Sequence, residues 1–370
     1  MSDRNRRVCV VGGGPAGLAA SIVLARTGYE VVVVDCATLP IDKACGEGLM
    51  PDSLQALAGL GVAIPSHAGF AFRGIRFADA HSSVYADFPD GMGKGVRRPI
   101  LHELLWAKAA SLGVSPLWNS KHVHLTEGGV SADGKFIEAS LVVAADGQNS
   151  SIRRQAGLDR VRREKRRYGF RRHYRMAPWS SYMELHWGPR SQIYVTPVAA
   201  DELCVAVISR DPKLRLEEAL LEAPELRRRL AEGAPVSIEM GGLSISRRFQ
   251  RVQQGDVLLA GDASGSVDAI TGEGMCLAFK QALSLERVLL TGDLRQYNSQ
   301  HGDLMNLPEA MSALMLLLES NTRLQRKVLA GLAAHPEIFG SFLAVHVGAS
   351  PFRDLLSWRL LDFGRAFLTA

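Results

Sequence analysis

The chain has 370 residues, 47% of them hydrophobic, with a mean hydropathy of +0.03 and a formal net charge of +5. This length allows two domains or one elaborated domain, and the mild charge with no common nucleic-acid motif argues against a nucleic-acid partner. Five cysteines without C-x-x-C spacing predict no metal site or disulfide framework. With no signal peptide pattern and no apolar run near the ~18 residues of a membrane span, a cytoplasmic location is expected.

An apolar run over Val8–Val11 predicts a buried parallel strand that leads into glycines in G-x-G-x-x-G spacing. The glycines are Gly12, Gly14 and Gly17. The first allows a sharp turn, the second leaves room for a pyrophosphate, and the third allows the next helix to pack closely on the sheet. That helix, predicted over 15–27, opens with Pro15 and Ala16, so its free N–H groups face the phosphates.

A second apolar strand over Glu30–Val34 ends at Asp35, which lies 18 positions after Gly17. A carboxylate about 20 residues after the glycines is typical of a ribose-binding site. Asp35 and the adjacent Cys36 are therefore candidate cofactor-binding residues. Strand, glycines, helix, strand and acid in this order predict a dinucleotide site; the alternative is a plain strand-to-helix turn.

The following loop, Cys36 to Leu49, contains Gly46-Glu47-Gly48 just before a predicted helix. This flexible backbone and its single carboxylate suit close approach to a ligand; the alternative is a glycine-rich helix entry with a solvated glutamate. Alternating residues over 69–90 predict a β-hairpin, and an apolar stripe over 100–111 predicts an amphipathic helix that Arg97-Arg98-Pro99 opens.

Two further apolar strands end on a carboxylate and a glycine. The pairs are Asp146-Gly147 and Gly261-Asp262, and the second is followed by Gly272-Glu273-Gly274-Met275 and a predicted helix through Leu290. One large ligand that touches all three strand ends explains this repetition. Between the two pairs, a basic run over 160–175 carries nine Lys/Arg residues. It predicts either a solvated, partly stranded surface or attraction of an anionic cosubstrate or lipid surface.

Alternation after the basic run predicts an antiparallel sheet with strands near 168–176, 182–187, 192–196 and 203–209, followed by a polar helix over 216–230. From Leu304 the chain is helical and apolar, with breaks at Pro336 and Pro351. These helices are expected either to cap a pocket, with possible contact to a membrane surface, or to pack in the ordinary way.

With these motifs in this order, the chain resembles the class A FAD-dependent monooxygenases of the para-hydroxybenzoate hydroxylase fold, and within them the geranylgeranyl reductase family. The resemblance covers about residues 5–300. It implies an α/β protein: a Rossmann-type FAD-binding domain with an inserted antiparallel β-sheet substrate domain and a C-terminal helical segment. The expected boundaries are 1–68, 94–165 and 247–300 for the FAD-binding domain, 69–93 and 166–246 for the substrate domain, and 301–370 for the helical cap.

The resemblance also implies FAD as cofactor and NAD(P)H as a transient cosubstrate. The residues expected to hold FAD are Gly12, Gly14, Pro15, Ala16, Gly17, Asp35, Cys36, Arg98, Val123, Asp146, Gly147, Gly261, Asp262, Gly272, Glu273, Gly274 and Met275. Arg98 is at the position where this fold places a phosphate-binding arginine.

Two departures from the prenyl reductases bear on the reaction. Cys45-Gly46-Glu47-Gly48-Leu49 has a glutamate in place of a glycine, and the reductases' aromatic strand appears as Gln192–Pro197. The chain is in this respect more similar to flavoproteins that hydroxylate phenols of polyketide pathways. We therefore expect an O₂-dependent monooxygenase of a lipophilic phenolic substrate in secondary metabolism. The alternative is a reductase of isoprenoid or enone double bonds. A halogenase is less favoured, because its W-x-W-x-I-P motif is absent from this sequence. A non-enzymatic FAD protein is less favoured as well.

Four residues are candidates for catalysis. Glu47, held in an apolar pocket with a raised pKa, would remove a phenol proton, and Cys45 would donate a proton in a reductase. Tyr194, on one strand face with Gln192 and Thr196, and His173 on a neighbouring strand would roof the substrate pocket. The alternative for Glu47 is a hydrogen bond to the backbone where the helix after Pro51 begins. Oligomeric state is left open.

Overall fold

The structure, a computed structural model, describes residues 6–356. The last 14 residues of the expected helical cap, 357–370, lie outside that range. The strands are β1 (Arg7–Val11), β2 (Glu30–Val34), β3 (Gly48–Leu49), β4 (Phe70–Phe72), β5 (Gly74–Ala78), β6 (Ser83–Asp87), β7 (Gly93–Gly95), β8 (Ser115–Leu117), β9 (Val123–Thr126), β10 (Gly129–Ala132), β11 (Lys135–Glu138), β12 (Leu141–Ala144), β13 (Val161–Arg175), β14 (Tyr182–Trp187), β15 (Ser191–Ala199), β16 (Glu202–Ser209), β17 (Ala234–Pro235), β18 (Met240–Phe249), β19 (Gln253–Gln254), β20 (Val257–Leu259) and β21 (Gly265–Ser266).

The helices are α1 (Pro15–Arg26), α2 (Pro51–Gly59), α3 (Arg98–Ser111), α4 (Ser151–Gln155), α5 (Leu216–Leu221), α6 (Pro224–Leu230), α7 (Gly274–Thr291), α8 (Gln296–Ser320), α9 (Thr322–Ala334) and α10 (Pro336–His346). Three short 3₁₀ segments cover Gly261–Ser264, Ala269–Thr271 and Phe352–Leu356. The helix predicted over 216–230 is two helices, because Pro224 begins the second and cannot continue the first.

A six-stranded sheet in the order β19-β20-β12-β1-β2-β8 carries the dinucleotide motif. Its strands are parallel except for the edge strand β19. Helix α1 packs on β1 and β2 beside α3 and α7, and the meander β9–β11 contacts β1 and β12. Because the sheet is covered, its central strands are continuous apolar runs rather than alternating ones, as in Val8–Val11.

The second sheet is the predicted antiparallel one, and it has nine strands. Its order is β21-β18-β13-β16-β15-β14-β5-β6, with β17 paired to β13. The hairpin β5–β6 joins it through a parallel pairing of β5 with β14. Only 74–87 of the hairpin predicted over 69–90 is in this sheet, since β4 pairs with β7 instead. The predicted fold class is confirmed; the domain boundaries stay a prediction.

The basic run is in part the solvated, stranded surface that its composition predicts. It spans the whole of β13, in which 161–166 and Arg175 are exposed and the residues between them are buried or half-buried. Attraction of an anionic cosubstrate or a lipid surface stays a prediction. Arg167 and Arg171 are each 2% exposed. They are four residues apart in a strand whose side chains alternate, so they lie on the same inner face. A buried arginine requires partners, and both have carboxylates within hydrogen-bonding distance.

The C-terminal helices pack on the nine-stranded sheet. Helix α9 is capped by Asn321, whose side chain accepts a hydrogen bond from Leu324 N, and α10 begins at the predicted break, Pro336. Both helices pack against β6 in a cluster with Phe72 and Ile75. Among residues 6–356, no single helix is long and apolar enough to cross a bilayer; α9 and α10 reach that length only as a pair bent by 105°.

Backbone contacts at the first motif leave no space for larger residues. A Cβ on Gly12, whose φ is +110°, would lie 2.2 Å from Ala145 O, and one on Gly17 would lie 1.7 Å from Gly12 O. The turn after β1 is thus held between the turn after β12 and the first turn of α1. Substitution of either glycine would force these segments apart.

Arg153 connects two of the strand-end loops. Its side chain is 1% exposed and donates to Gln148 O (3.0 Å), Ala263 O (3.1 Å) and Asp159 (2.7 Å). Its guanidinium also lies over the ring of Phe249, 4.4 Å from the centroid. One side chain thereby holds the Asp146-Gly147 loop against the Gly261-Asp262 loop.

We expect Arg153→Met to lower the free energy of unfolding by about 3 kcal/mol, because it leaves buried carbonyl groups unpaired. Urea unfolding of the cofactor-free protein measures this change. Arg154→Met is the matched control, since Arg154 is exposed, and it should stay within about 0.5 kcal/mol of the wild type. Equal stability of the two variants would contradict the bridging role.

Candidate active site

A single cavity of about 1060 Å³ lies where the strand-end loops of the parallel sheet meet the nine-stranded sheet and helices α8–α10. A pocket for one drug-sized ligand is about 300–1,000 Å³, so the space suits a large cofactor together with a substrate. The predicted residues that line it are Gly12, Gly14, Pro15, Ala16, Asp35, Cys36, Cys45, Glu47, Arg98, Val123, Asp146, Gly147, Tyr194, Gly261, Asp262, Gly272, Gly274 and Met275. The structure therefore brings the three strand ends together at the carboxyl edge of the sheet.

Two expected cofactor-binding residues do not line the cavity. Gly17 lies in the first turn of α1, where it packs against Gly12. Glu273 lies between two lining residues, but its own side chain is buried behind them, because the left-handed turn at Gly272 and the start of α7 direct it away from the cavity. The expectation that Glu273 contacts the cofactor stays a prediction, and its side chain is not among those that line the cavity.

Several buried polar atoms of the cavity lining lack partners among the described residues, and two of them belong to expected cofactor-binding residues. Arg98 Nε and Asp146 Oδ1 have no hydrogen bond, although Asp146 Oδ2 accepts one from Ser151 N at 2.8 Å. The N-terminus of α1 also has no side-chain cap. A cation, a carboxylate oxygen and free backbone N–H groups are the groups that bind phosphate and ribose. The residues present fit FAD.

Asp35 shapes the site by holding backbone. Its two carboxylate oxygens accept hydrogen bonds from Gly13 N (2.6 Å) and Ala37 N (2.8 Å). The carbonyl oxygen of Gly13 lies 2.7 Å from Nε2 of the buried His102. Burial lowers the pKa of His102 and favours its neutral form. The glycine turn is therefore held at both its N–H and its C=O.

Glu47 is not in an apolar pocket, so the predicted environment is wrong. Its fully buried carboxylate accepts from Arg98 N (Oε1, 3.0 Å), lies 2.8 Å from His173 Nε2 through Oε2, and is within 4.0 Å of Arg97 and Arg171. These partners occupy both carboxylate oxygens. The backbone hydrogen bond of the alternative exists, but it is made where α3 begins rather than α2.

His173 and Gln192 do not roof the pocket, contrary to expectation. His173 is wholly buried behind Glu47, where Nδ1 lies 3.1 Å from both Arg171 and Ser237. Gln192 is also fully buried and hydrogen-bonded to Arg167. Both residues are hydrogen-bonded to buried arginines, and neither is among the residues that line the cavity.

Cys45 and Tyr194 line the cavity, yet both are engaged. Cys45 Sγ accepts a hydrogen bond from Glu47 N at 3.4 Å. The Tyr194 hydroxyl donates to Ile270 O at 2.7 Å, and burial raises the pKa of this phenol far above its usual value. Tyr194 therefore anchors the segment before Gly272 and is a poor source of protons.

The far end of the cavity is an apolar arm. Helices α8, α9 and α10 contribute ten lining residues, and nine of them are apolar. They are Met311, Leu314, Met315, Leu318, Val328, Leu332, Phe339, Phe342, Leu343 and the one exception, His346. The sheet adds Ile75, Phe77, Met183 and Leu185. Such a wall excludes water and favours a lipophilic ligand.

The sequence did not reveal the buried ion pairs around the arm. Arg167 donates to Asp268 (3.0 Å) and Glu319 (2.6 Å), and so joins β13 to the segment before Gly272 and to α8. A signal was present, because Arg167 and Arg171 have the same parity along a strand. Basic neighbours on the exposed face hid that signal.

A family model described as "FAD binding domain" matches residues 5–292. The chain belongs to this family. It is therefore an FAD-dependent oxidoreductase, and the predicted cofactor is confirmed at the level of the family.

The curated relatives include reductases and a synthase. The menaquinone reductase of Mycolicibacterium smegmatis is 28% identical over 79% of this chain and 78% of its own. Digeranylgeranylglycerophospholipid reductase 1 of Methanopyrus kandleri is 28% identical over 72% and 76%. A putative 2-heptyl-3-hydroxy-4(1H)-quinolone synthase of Rhodococcus erythropolis is 26% identical over 89% and 93%. Among solved structures, a flavoprotein/dehydrogenase of Cytophaga hutchinsonii has a TM-score of 0.78 at 18% identity and covers 94% of each chain, which shows the fold.

Arg98→Met should weaken FAD binding about 10- to 100-fold, since a hydrogen bond to a charged group contributes about 1.5–3 kcal/mol. Quenching of flavin fluorescence on titration with cofactor-free protein gives the dissociation constant. The control is Arg166→Met, which removes the same charge from a side chain that is 61% exposed. Unchanged affinity in Arg98→Met would place the phosphates elsewhere in the cavity.

Glu47→Gln should lower the free energy of unfolding by about 3 kcal/mol, because it removes the negative charge between buried cations. Urea unfolding tests this, with Glu225→Gln as the control, since Glu225 pairs with Arg228 and Arg229 at the surface and its loss should change little. If Glu47→Gln kept wild-type stability and lost only turnover, Glu47 would act in catalysis and not in structure.

Proposed function

We propose that the protein reduces a carbon–carbon double bond in an isoprenoid or other lipophilic substrate, with NAD(P)H as the reductant. The observation that carries the proposal is the apolar arm that α8–α10 form at one end of the cofactor cavity. Two relatives support it, because one is named for the reduction of menaquinone and the other for the reduction of a digeranylgeranyl lipid.

Different residues of the cavity bind the cofactor and the substrate. Arg98, Asp146 and the N-terminus of α1 hold the phosphates and ribose of FAD, which when bound supplies the hydride chemistry. The arm holds the hydrocarbon and excludes water. Tyr194 fixes the segment 268–275 between these two regions through its bond to Ile270 O.

Hydroxylation of a phenol is the second candidate. The Rhodococcus relative, which matches 89% of this chain, is named for a product with a hydroxyl group on its ring, a 3-hydroxyquinolone. That reaction needs a base for the phenol proton. Glu47, the expected base, has both carboxylate oxygens occupied by Arg98 N and His173. We therefore place reduction first. Contact with a membrane surface and the assembly of the chain stay predictions.

The reaction products distinguish double-bond reduction from hydroxylation. The FAD-loaded protein is incubated with NADH or NADPH and a menaquinone, a geranylgeranyl lipid or an enone without oxygen, and in parallel with a resorcinol-type phenol in air. Mass spectrometry should show a gain of two hydrogens on an isoprenoid or enone under the anaerobic condition. Gain of one oxygen atom on the phenol, with no anaerobic product, would establish hydroxylation instead.

A further inference from the structure

One titratable side chain interrupts the apolar arm. His346, in the last turn of α10, lines the cavity and has a side chain that is 11% exposed. Its Nδ1 is buried and has no hydrogen-bond partner among residues 6–356. Nε2 is then the ring nitrogen left for a molecule in the arm. The other cavity-lining residues of α10, Phe339, Phe342 and Leu343, are apolar.

The group that faces His346 is the carboxylate of Glu273. Glu273 Oε2 lies 3.9 Å from His346 Nδ1, is also buried and has no hydrogen-bond partner in the part of the chain that the structure describes. The gap exceeds a normal hydrogen bond by about 1 Å, and catalytic hydrogen bonds commonly tighten when substrate binds. Glu273 lies between Gly272 and Gly274, both of which line the cavity, so the pair is next to the segment expected at the cofactor ring.

Two further charged groups, Asp52 and Lys280, act on the pKa of Glu273. Asp52 on α2 accepts hydrogen bonds from Lys280 Nζ (2.6 Å) and Cys276 Sγ (3.0 Å), both on α7. The Lys280 side chain is 33% exposed. Burial and the nearby Asp52 charge raise the pKa of Glu273, whereas His346 and Lys280 lower it. Glu273 thus holds a proton more readily than an exposed glutamate does.

We propose that His346 and Glu273 form the proton-donating pair of the apolar arm, and this rests on the proposed reductase function. Reduction of a C=C bond adds a hydride, derived from NAD(P)H, to one carbon and a proton to the other. The imidazole of His346 gives its Nε2 proton to that carbon while Nδ1 takes a proton from the carboxylic acid of Glu273, which becomes a carboxylate. Water then returns a proton to Glu273, and the imidazole returns to its starting tautomer.

His346→Gln and Glu273→Gln test the pair, with His335→Gln as the matched control, because His335 is 43% exposed and paired with Glu337. His346→Gln should lower the rate of double-bond reduction by about 10²-fold and abolish its decline towards high pH, as expected for loss of a general acid. Cofactor reduction by NAD(P)H without lipid should not change. If His346→Gln and His335→Gln have the same rate and pH profile, the proposal is overturned.

A readout independent of turnover is the infrared band of the Glu273 carboxylic acid, identified by its loss in Glu273→Gln. In His346→Gln this band should persist to higher pH, because the imidazolium that lowers the pKa of Glu273 is gone. If the Glu273 band disappears at the same pH in His346→Gln as in the wild type, the proposed pair is overturned. If the wild type reduces no isoprenoid or enone, the proposed function fails by itself, and the infrared titration still decides whether His346 and Glu273 are coupled.

Discussion

The arrangement of the site depends on the pairing of charges inside the nine-stranded sheet. An unpaired ion in a protein interior costs several kcal/mol, so the guanidinium groups of Arg167 and Arg171 each require a carboxylate brought from another part of the chain. Arg171 takes Asp42 from the loop before Cys45, at 2.6 Å, and Arg167 takes Asp268 and Glu319. The two pairings draw the loop that contains Glu47, the segment before Gly272 and the end of α8 to one sheet face. The cavity is the space that remains between them.

The parts of this structure that the sequence predicts are those determined by neighbours in the chain. Apolar runs, the glycine turn after Val8–Val11 and the acid at Asp35 are local features, and they identify the parallel sheet and the cofactor edge. The alternation that predicts the strands over 182–209 is local as well. Contacts between distant parts of the chain are not visible in such local patterns. Glu47 and His173 are 126 positions apart in the sequence, and Arg167 and Glu319 are 152 apart.

Glu47 illustrates why a residue type near a cofactor does not by itself indicate chemistry. The carboxylate is expected alone in an apolar setting, whereas it lies beside Arg97, Arg171 and His173. The motif in which it occurs, Cys45-Gly46-Glu47-Gly48-Leu49, cannot distinguish the two settings. Its surroundings come from β13 and from the start of α3, so function here must be argued from the assembled site and not from the motif or the fold.

Glu319 shares its carboxylate between two arginines, and this connects the helical cap thermodynamically to the cofactor region. Its Oε1 takes Arg167, which also holds Asp268, while its Oε2 takes Arg210 at 2.7 Å. The segment before Gly272 and the last turns of α8 thus share one buried cation, Arg167. If either carboxylate moved away, that guanidinium would lose a partner in the protein interior, so the position of the cap and that of the cofactor-side segment depend on the same side chain.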